Sequence, residues 1–207
     1  MATTTSTVTG VLIDRLGSTE GDIISGTSGN DTITGSSFDD SIYGGEGNDI
    51  ITGGDGNDYF RITYNAGSDS IVGGAGNDKF VIRDNDWQFA ANNTHTLTGG
   101  TGNDIYAISS ENKSAVIITD FTAGVSGDVL DVVSLLTNSV NLIANPFLSS
   151  NRYFRLIQDT VTPANALFQW DQDGETGTQY AWKTVVTLQN TTAANFVAAN
   201  FAPQIPT

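Results

Sequence analysis

From Asp22 to Tyr106 the bulky apolar residues come singly and at a fixed interval. Ile24, Ile33, Ile42, Ile51 and Phe60 follow one another every nine residues, Ile71 and Phe80 keep that interval after two extra residues, and Tyr106 comes after a longer insertion. Each stands two places after an aspartate: Asp22, Asp31, Asp40, Asp49, Asp58, Asp69, Asp78 and Asp104. This period is neither the helical repeat nor the strict alternation of a long strand. It predicts a six-residue turn followed by a three-residue strand, whose one bulky side chain points to one face. One turn and one strand do not close a coil, so two units must pair. A flattened coil of about 18 residues results, with a sheet on each side and the apolar residues inside.

Past Val116 the pattern changes and apolar residues crowd together. Val116–Ile118 reads as a strand, and Asp128–Leu136 as a denser apolar segment. Tyr153–Gln158, Ala166–Asp171 and Tyr180–Leu188 read as longer, antiparallel strands, with Tyr180, Trp182, Thr184, Val186 and Leu188 alternating onto one face. Thr192 is placed to cap a short closing helix through Ala199. These patterns divide the chain into a Thr-rich linker (1–16), a repeat region (17–115) interrupted at 82–98, and a β-rich C-terminal region (116–207). Met1–Gly10 lacks the basic start and apolar core of a signal peptide.

The turns carry the chemistry. Full versions read Gly44-Gly45-Glu46-Gly47-Asn48-Asp49, Gly53-Gly54-Asp55-Gly56-Asn57-Asp58, Gly73-Gly74-Ala75-Gly76-Asn77-Asp78 and Gly99-Gly100-Thr101-Gly102-Asn103-Asp104. Glycines there let carbonyls converge with no side chain in the way. Stacking coils at about 4.8 Å brings aspartates two units apart into rows. One row joins Asp22, Asp40, Asp58, Asp78 and Asp104, and the other Asp31, Asp49 and Asp69. Neighbouring carboxylates about 5 Å apart repel by nearly 1 kcal/mol in water and several-fold more near a protein surface, so such rows need neutralising. Carboxylates with backbone carbonyls are hard oxygen donors that suit Ca²⁺ better than Mg²⁺, which demands a tighter octahedron.

Charge agrees with this reading. The chain carries −15, and 14 acidic residues against 3 basic ones fall between Gly17 and Ile108. No basic patch offers a nucleic-acid footprint. No apolar run reaches the roughly 18 residues of a membrane span. Cysteine is absent, and so are the His-Glu-x-x-His and Gly-x-Ser-x-Gly motifs, so no enzyme activity is expected. The single histidine, His95, has no His or Cys partner that would make it a metal ligand.

The four full turns resemble the nonapeptide repeats of the RTX (repeats-in-toxin) family. The resemblance implies a right-handed parallel β-roll, all-β, with rows of Ca²⁺ between successive turns. Carried over by residue, the ligands are Asp31, Asp40, Asp49, Asp58, Asp69, Asp78 and Asp104, with the backbone of Gly44, Gly45, Gly47, Gly53, Gly54, Gly56, Gly73, Gly74, Gly76, Gly99, Gly100 and Gly102. About six ions follow if every neighbouring pair binds. Gly26-Thr27-Ser28-Gly29, Gly35-Ser36-Ser37-Phe38 and Tyr64-Asn65-Ala66-Gly67 depart from the pattern, and the worn unit at Gly17 weakens a site at Asp22. Ile118-Thr119-Asp120-Phe121, Asp128–Leu136, Trp170–Gly174 and Ala193–Val197 resemble the C-terminal target region of type I secretion substrates. The expected protein is secreted or displayed at the cell surface, and the type I machinery is its export partner.

Three alternatives stay open at this point. The module could bind surface polysaccharide through Trp87, Tyr64 or Trp182. The insertion could carry a ligand, or could be a looped hairpin whose Trp87 and Phe89 cover the roll. Asp171–Glu175 could begin an EF-hand loop, but Trp182 stands where the twelfth-position Glu belongs, and a hairpin turn accounts for it better.

Overall fold

The computed structural model describes residues 3–5, 10–63, 67–83, 93–109, 114–137, 153–173, 176 and 178–202. Asp84, Asp86, Trp87 and Phe89 of the insertion, Tyr64, Gly174 and Glu175 lie outside the described residues. Two sheets face each other. One holds β1 (Thr3–Thr5), β3 (Ile23–Ser25), β5 (Ser41–Tyr43), β7 (Tyr59–Ile62), β9 (Lys79–Ile82), β11 (Ile105–Ile108), β13 (Val129–Asp131) and β17 (Phe201–Ala202), in that order. The other begins with β2 (Leu12–Asp14), β4 (Thr32–Thr34), β6 (Ile50–Asp55), β8 (Ser70–Ala75), β10 (Thr94–Thr101) and β12 (Ala115–Ile118). Successive strands alternate between the sheets, and all of these neighbours pair in parallel. The fold is a parallel β-roll.

The first strands are three residues long with one inward place to fill, and the four-residue strands from β7 on fill two, as Phe60 with Ile62 and Phe80 with Ile82 do. Ile24, Ile42, Phe60, Phe80, Tyr106 and Leu130 stack down one inner face, and Ile13, Ile33, Ile51, Ile71, Leu97 and Ile118 down the other, all buried. Burying each contributes on the order of 1.5–3 kcal/mol. The aromatic members stack face to face, Phe60 on Phe80 and Phe80 on Tyr106, with centroids 4.9 Å apart in both pairs. Such stacking adds to area burial, so the interval that aligns the residues also fastens one coil to the next.

The sheets continue past residue 116. In the second sheet β12 pairs in parallel with β16 (Lys183–Leu188). Two antiparallel neighbours, β15 (Ala166–Trp170) and β14 (Phe154–Gln158), complete that edge. The alternation expected over Tyr180–Leu188 is corrected in two ways. The strand begins only at Lys183, and a bulge opposite Phe168 and Gln169 puts Val185 beside Val186 among the buried residues. An extra residue on one strand shifts the facing of what comes before it, and Thr184, expected on the buried face, is exposed; Tyr180, also exposed, lies ahead of the strand. The stretch between β15 and β16 joins antiparallel strands, as the hairpin reading of Asp171 requires. The closing helix expected from Thr192 is absent. Two separate 3₁₀ turns, Ala193–Asn195 and Ala198–Asn200, stand there, and Thr192 makes no side-chain cap. A short α-helix, α1 (Val133–Thr137), follows β13.

Candidate metal centre

The aspartates form the two rows that their spacing predicts. In the first, the backbone N–H of Asp22 donates to Asp40 Oδ1, Asp40 to Asp58, Asp58 to Asp78 and Asp78 to Asp104, at 2.6–2.8 Å. In the second, the N–H of Asp31 donates to Asp49 Oδ1 and that of Asp49 to Asp69 Oδ1, at 2.9 and 3.0 Å. All eight are almost entirely removed from solvent. Except in Asp22, one oxygen of each carboxylate is thus fixed by an N–H of the preceding coil, and the second oxygen decides what the site can do.

Where the turn is worn, the protein itself supplies partners. Arg15 lays its guanidinium on Asp22, with Nε 2.8 Å from Oδ2 and Nη2 3.0 Å from Oδ1. Asp31 accepts from the Val11 and Thr27 N–H groups and the Thr27 hydroxyl. Asp40 Oδ2 accepts from the Ser36 N–H at 2.7 Å, and the Ser36 hydroxyl lies 3.1 Å away. Thr27 and Ser36 occupy the place of the second glycine. The hydroxyl that interrupts the motif is the group that satisfies its aspartate. Asp69 Oδ2 faces His95 Nδ1 at 3.3 Å.

In three of the four intact turns, the second oxygen has no hydrogen-bond partner. Asp49 Oδ2, Asp58 Oδ2 and Asp78 Oδ2 are buried without a hydrogen-bond partner. An isolated buried carboxylate oxygen costs several kcal/mol when charged, so in its charged form this arrangement calls for a cation. Its surroundings are oxygen-rich. A Cβ added at Gly53 would meet Asp58 Oδ2 and the Gly73 carbonyl, and one at Gly73 would meet Asp78 Oδ2 and the Gly99 carbonyl. Each place thus sets one carboxylate oxygen beside the carbonyl of the next turn, with Phe60 Cζ also close at Gly53, and is open only because glycine lines it. Among the described residues no three His, Cys, Asp or Glu side chains gather as a metal cluster. Ligation of this kind draws on the backbone instead, and Ca²⁺ accepts such mixed oxygen sets. The residues present fit the ion.

Burial sets the protonation of these groups. Loss of solvent pushes Asp49, Asp58 and Asp104 up to about 7 and Asp78 to about 6, against backbone hydrogen bonds that pull the other way. An unfolded aspartate titrates near 3.9. Without divalent ions the folded state therefore holds more protons than the unfolded one between about pH 4 and pH 7, and stability falls as pH rises through that window. In chelator, thermal unfolding followed by circular dichroism should give a higher Tm at pH 5 than at pH 8. The opposite order would contradict the burial argument.

Sequence reading overlooked two members of the rows. Asp128 Oδ1 accepts from the Asp104 N–H at 2.9 Å and so extends the first row. Gly127-Asp128-Val129-Leu130 repeats the spacing of an aspartate and a core residue two places on, and that signal was there to be used. His95 takes the aspartate place after Asp69 in the second row, followed by Thr96 and Leu97, and the Asp69 N–H points at its Nδ1 from 3.4 Å. Of the aromatic platforms considered for polysaccharide, Trp182 already has the Arg155 guanidinium over its ring at 4.3 Å.

A family model for the RTX calcium-binding nonapeptide repeat, in four copies, matches residues 25–60 and 64–81. Those two stretches carry repeats of the RTX calcium-binding type. The matched stretch contains the three full turns ending at Asp49, Asp58 and Asp78, where the unpartnered oxygens lie. Two solved structures are similar in part, both from the Azotobacter vinelandii mannuronan C5-epimerase. The AlgE6R3 subunit shares 21% identity, covering 96% of this chain and 86% of its own, with a TM-score of 0.38. The AlgE6R2 subunit shares 23%, covering 84% and 94%, with a TM-score of 0.32. No curated protein matches the chain. The fold assignment accordingly rests on the strand pairing described above.

Proposed function

We propose that this chain is an extracellular module which folds by binding calcium after passing through a type I secretion channel, and then serves as a structural or surface-attaching element. The observation that carries it is the set of buried, unpartnered oxygens on Asp49, Asp58 and Asp78. Together with Asp104, in the fourth full turn, they would hold four ions. Asp22, Asp31, Asp40 and Asp69 keep their places in the rows with protein partners instead, so the number is below the six that spacing alone suggests. The bound ions supply the positive charge that cancels carboxylate repulsion. Coupled binding and folding suits export, because an acidic, glycine-rich chain without ions cannot offset its conformational entropy and stays extended. The C-terminal region, with Phe196 and Phe201 packed on the roll, is the proposed carrier of the export signal. Among the described residues no helix is long and apolar enough to cross a membrane.

Equilibrium dialysis against calcium should give four bound ions, and Asp58→Asn should lose one. In a host with a type I apparatus, removing residues 192–207 should leave the chain in the cytoplasm. No bound calcium would overturn the ion reading, and undiminished export of the truncated chain would overturn the export reading.

A further inference from the structure

The last full turn, Gly99–Asp104, is followed on its side of the roll by no further full turn. Earlier in the row, a glycine is flanked by its own aspartate's Oδ2 and by the carbonyl of the next glycine turn. At Gly99 the first neighbour is conserved in kind and the second is not. Asp104 Oδ2 stands over the glycine, and the other oxygen there is the Tyr106 hydroxyl. That hydroxyl is fully buried and has no hydrogen-bond partner. A phenol's apolar ring belongs in the stack with Phe80, but its hydroxyl does not unless something polar meets it.

The segment after the repeats closes the same turn. Where a further glycine strand would lie beside Gly99, Asp120 presents its carboxylate: Oδ1 accepts from the Gly99 N–H at 3.0 Å and Oδ2 from the Gly100 N–H at 2.9 Å. Each oxygen keeps a lone pair for another contact. Asp128 braces the arrangement from below, with Oδ1 on the Asp104 N–H and Oδ2 on the Thr122 N–H at 2.7 Å.

We infer that Asp104, Asp120 and the Tyr106 hydroxyl hold a divalent cation of the calcium type at the junction between the last repeat and the Phe121–Asp128 turn, with Asp128 as a positioning residue. This rests on the ion-binding reading of the repeats and adds that one ion is completed by residues outside them. The donor set, carboxylates with a neutral hydroxyl and no nitrogen or sulfur, belongs to a hard cation. Its consequence reaches the end of the chain. The turn it orders is gripped by Asn200, whose Nδ2 donates to the Gly124 and Asp128 carbonyls at 3.0 and 2.8 Å and whose Oδ1 accepts from the Gly124 N–H. Phe121 in that turn stacks on Phe196 at 5.0 Å. An ion at the junction therefore fastens the C-terminal region to the roll.

The test is radiocalcium equilibrium dialysis on the full chain, with amide hydrogen exchange on the same samples. Asp120→Asn should bind one ion fewer than the parent, and protection should fall in residues 121–128 and 196–202 while 44–82 keep theirs. Should that variant fail to fold, Tyr106→Phe decides, since it keeps the ring stack and removes only the oxygen. One ion should then bind at least about 3-fold more weakly, a loss of RT ln 3. An unchanged ion number and affinity in Asp120→Asn, or unchanged affinities in Tyr106→Phe, overturns the junction site while leaving the repeat sites standing. A parent chain that binds no calcium overturns both.

Discussion

Removing calcium should unfold the repeat region. In excess chelator at pH 7.5 the far-ultraviolet β signal should collapse and amide protection of residues 22–108 should vanish. Both should return as calcium is restored through roughly 10⁻⁴–10⁻³ M, the range of extracellular modules. The size of the effect follows from what the ion replaces. Asp49, Asp58 and Asp78 each keep a buried oxygen with no protein donor, and each such group costs several kcal/mol when charged and uncompensated. A domain of this size has only about 5–15 kcal/mol of net stability. Three or four such penalties are as large as that whole margin. Magnesium at the same concentration should restore little, because it gives up its waters reluctantly and demands an octahedron that two glycine turns do not impose. Coils stacked in one dimension unfold as neighbours lose their interfaces, so the transition should be steep in calcium. An equally protected repeat region in chelator would end this account.

Gly74→Ala should be nearly as damaging, and calcium should not rescue it. Gly74 sits at φ +128°, outside the range that side chains tolerate, and a Cβ there would run into the carbonyl oxygen of Gly54 in the coil before. The strain and the collision come together, because the same geometry that turns the chain also brings successive turns into contact. The cost should be about 3 kcal/mol or more, seen as a lower Tm in saturating calcium and a higher calcium midpoint. Ala75→Ser in the same turn is the control. Ala75 is exposed, and its counterparts in the other full turns are Glu46, Asp55 and Thr101. That variant should stay within about 0.5 kcal/mol of the parent. Equal behaviour of the two variants would show that coil contact does not limit this turn.

The rows of oxygens explain why worn repeats persist beside intact ones. Thr27 and Ser36 remove a glycine and supply a hydroxyl to the aspartate that the glycine would have served. Arg15 brings a permanent positive charge to the first aspartate of its row. In the N-terminal coils the aspartate oxygens therefore find donors within the chain, whereas the unpartnered oxygens belong to the full turns that end at Asp49, Asp58 and Asp78.

Spacing alone determined the coil. A bulky residue every nine places has one inward position per strand, and glycine in the intervening turns leaves the chain no other compact way to bury it. Sheet pairing and the two rows of aspartates follow from that local arithmetic, while the antiparallel strands near the C-terminus were legible from their own apolar runs. Which second oxygen meets Arg15, Thr27 or Ser36, and which meets nothing, came only from the folded chain, since these partners are fixed by how one coil sits on another. The bulge at Val185 and the two 3₁₀ turns after Thr192 were likewise decided by packing against the roll, where the final strands must match an existing edge. Asp120 and Tyr106 show the same division most sharply. Nothing in their local sequence pairs them, and they meet at Gly99 because the last coil needs a closing surface.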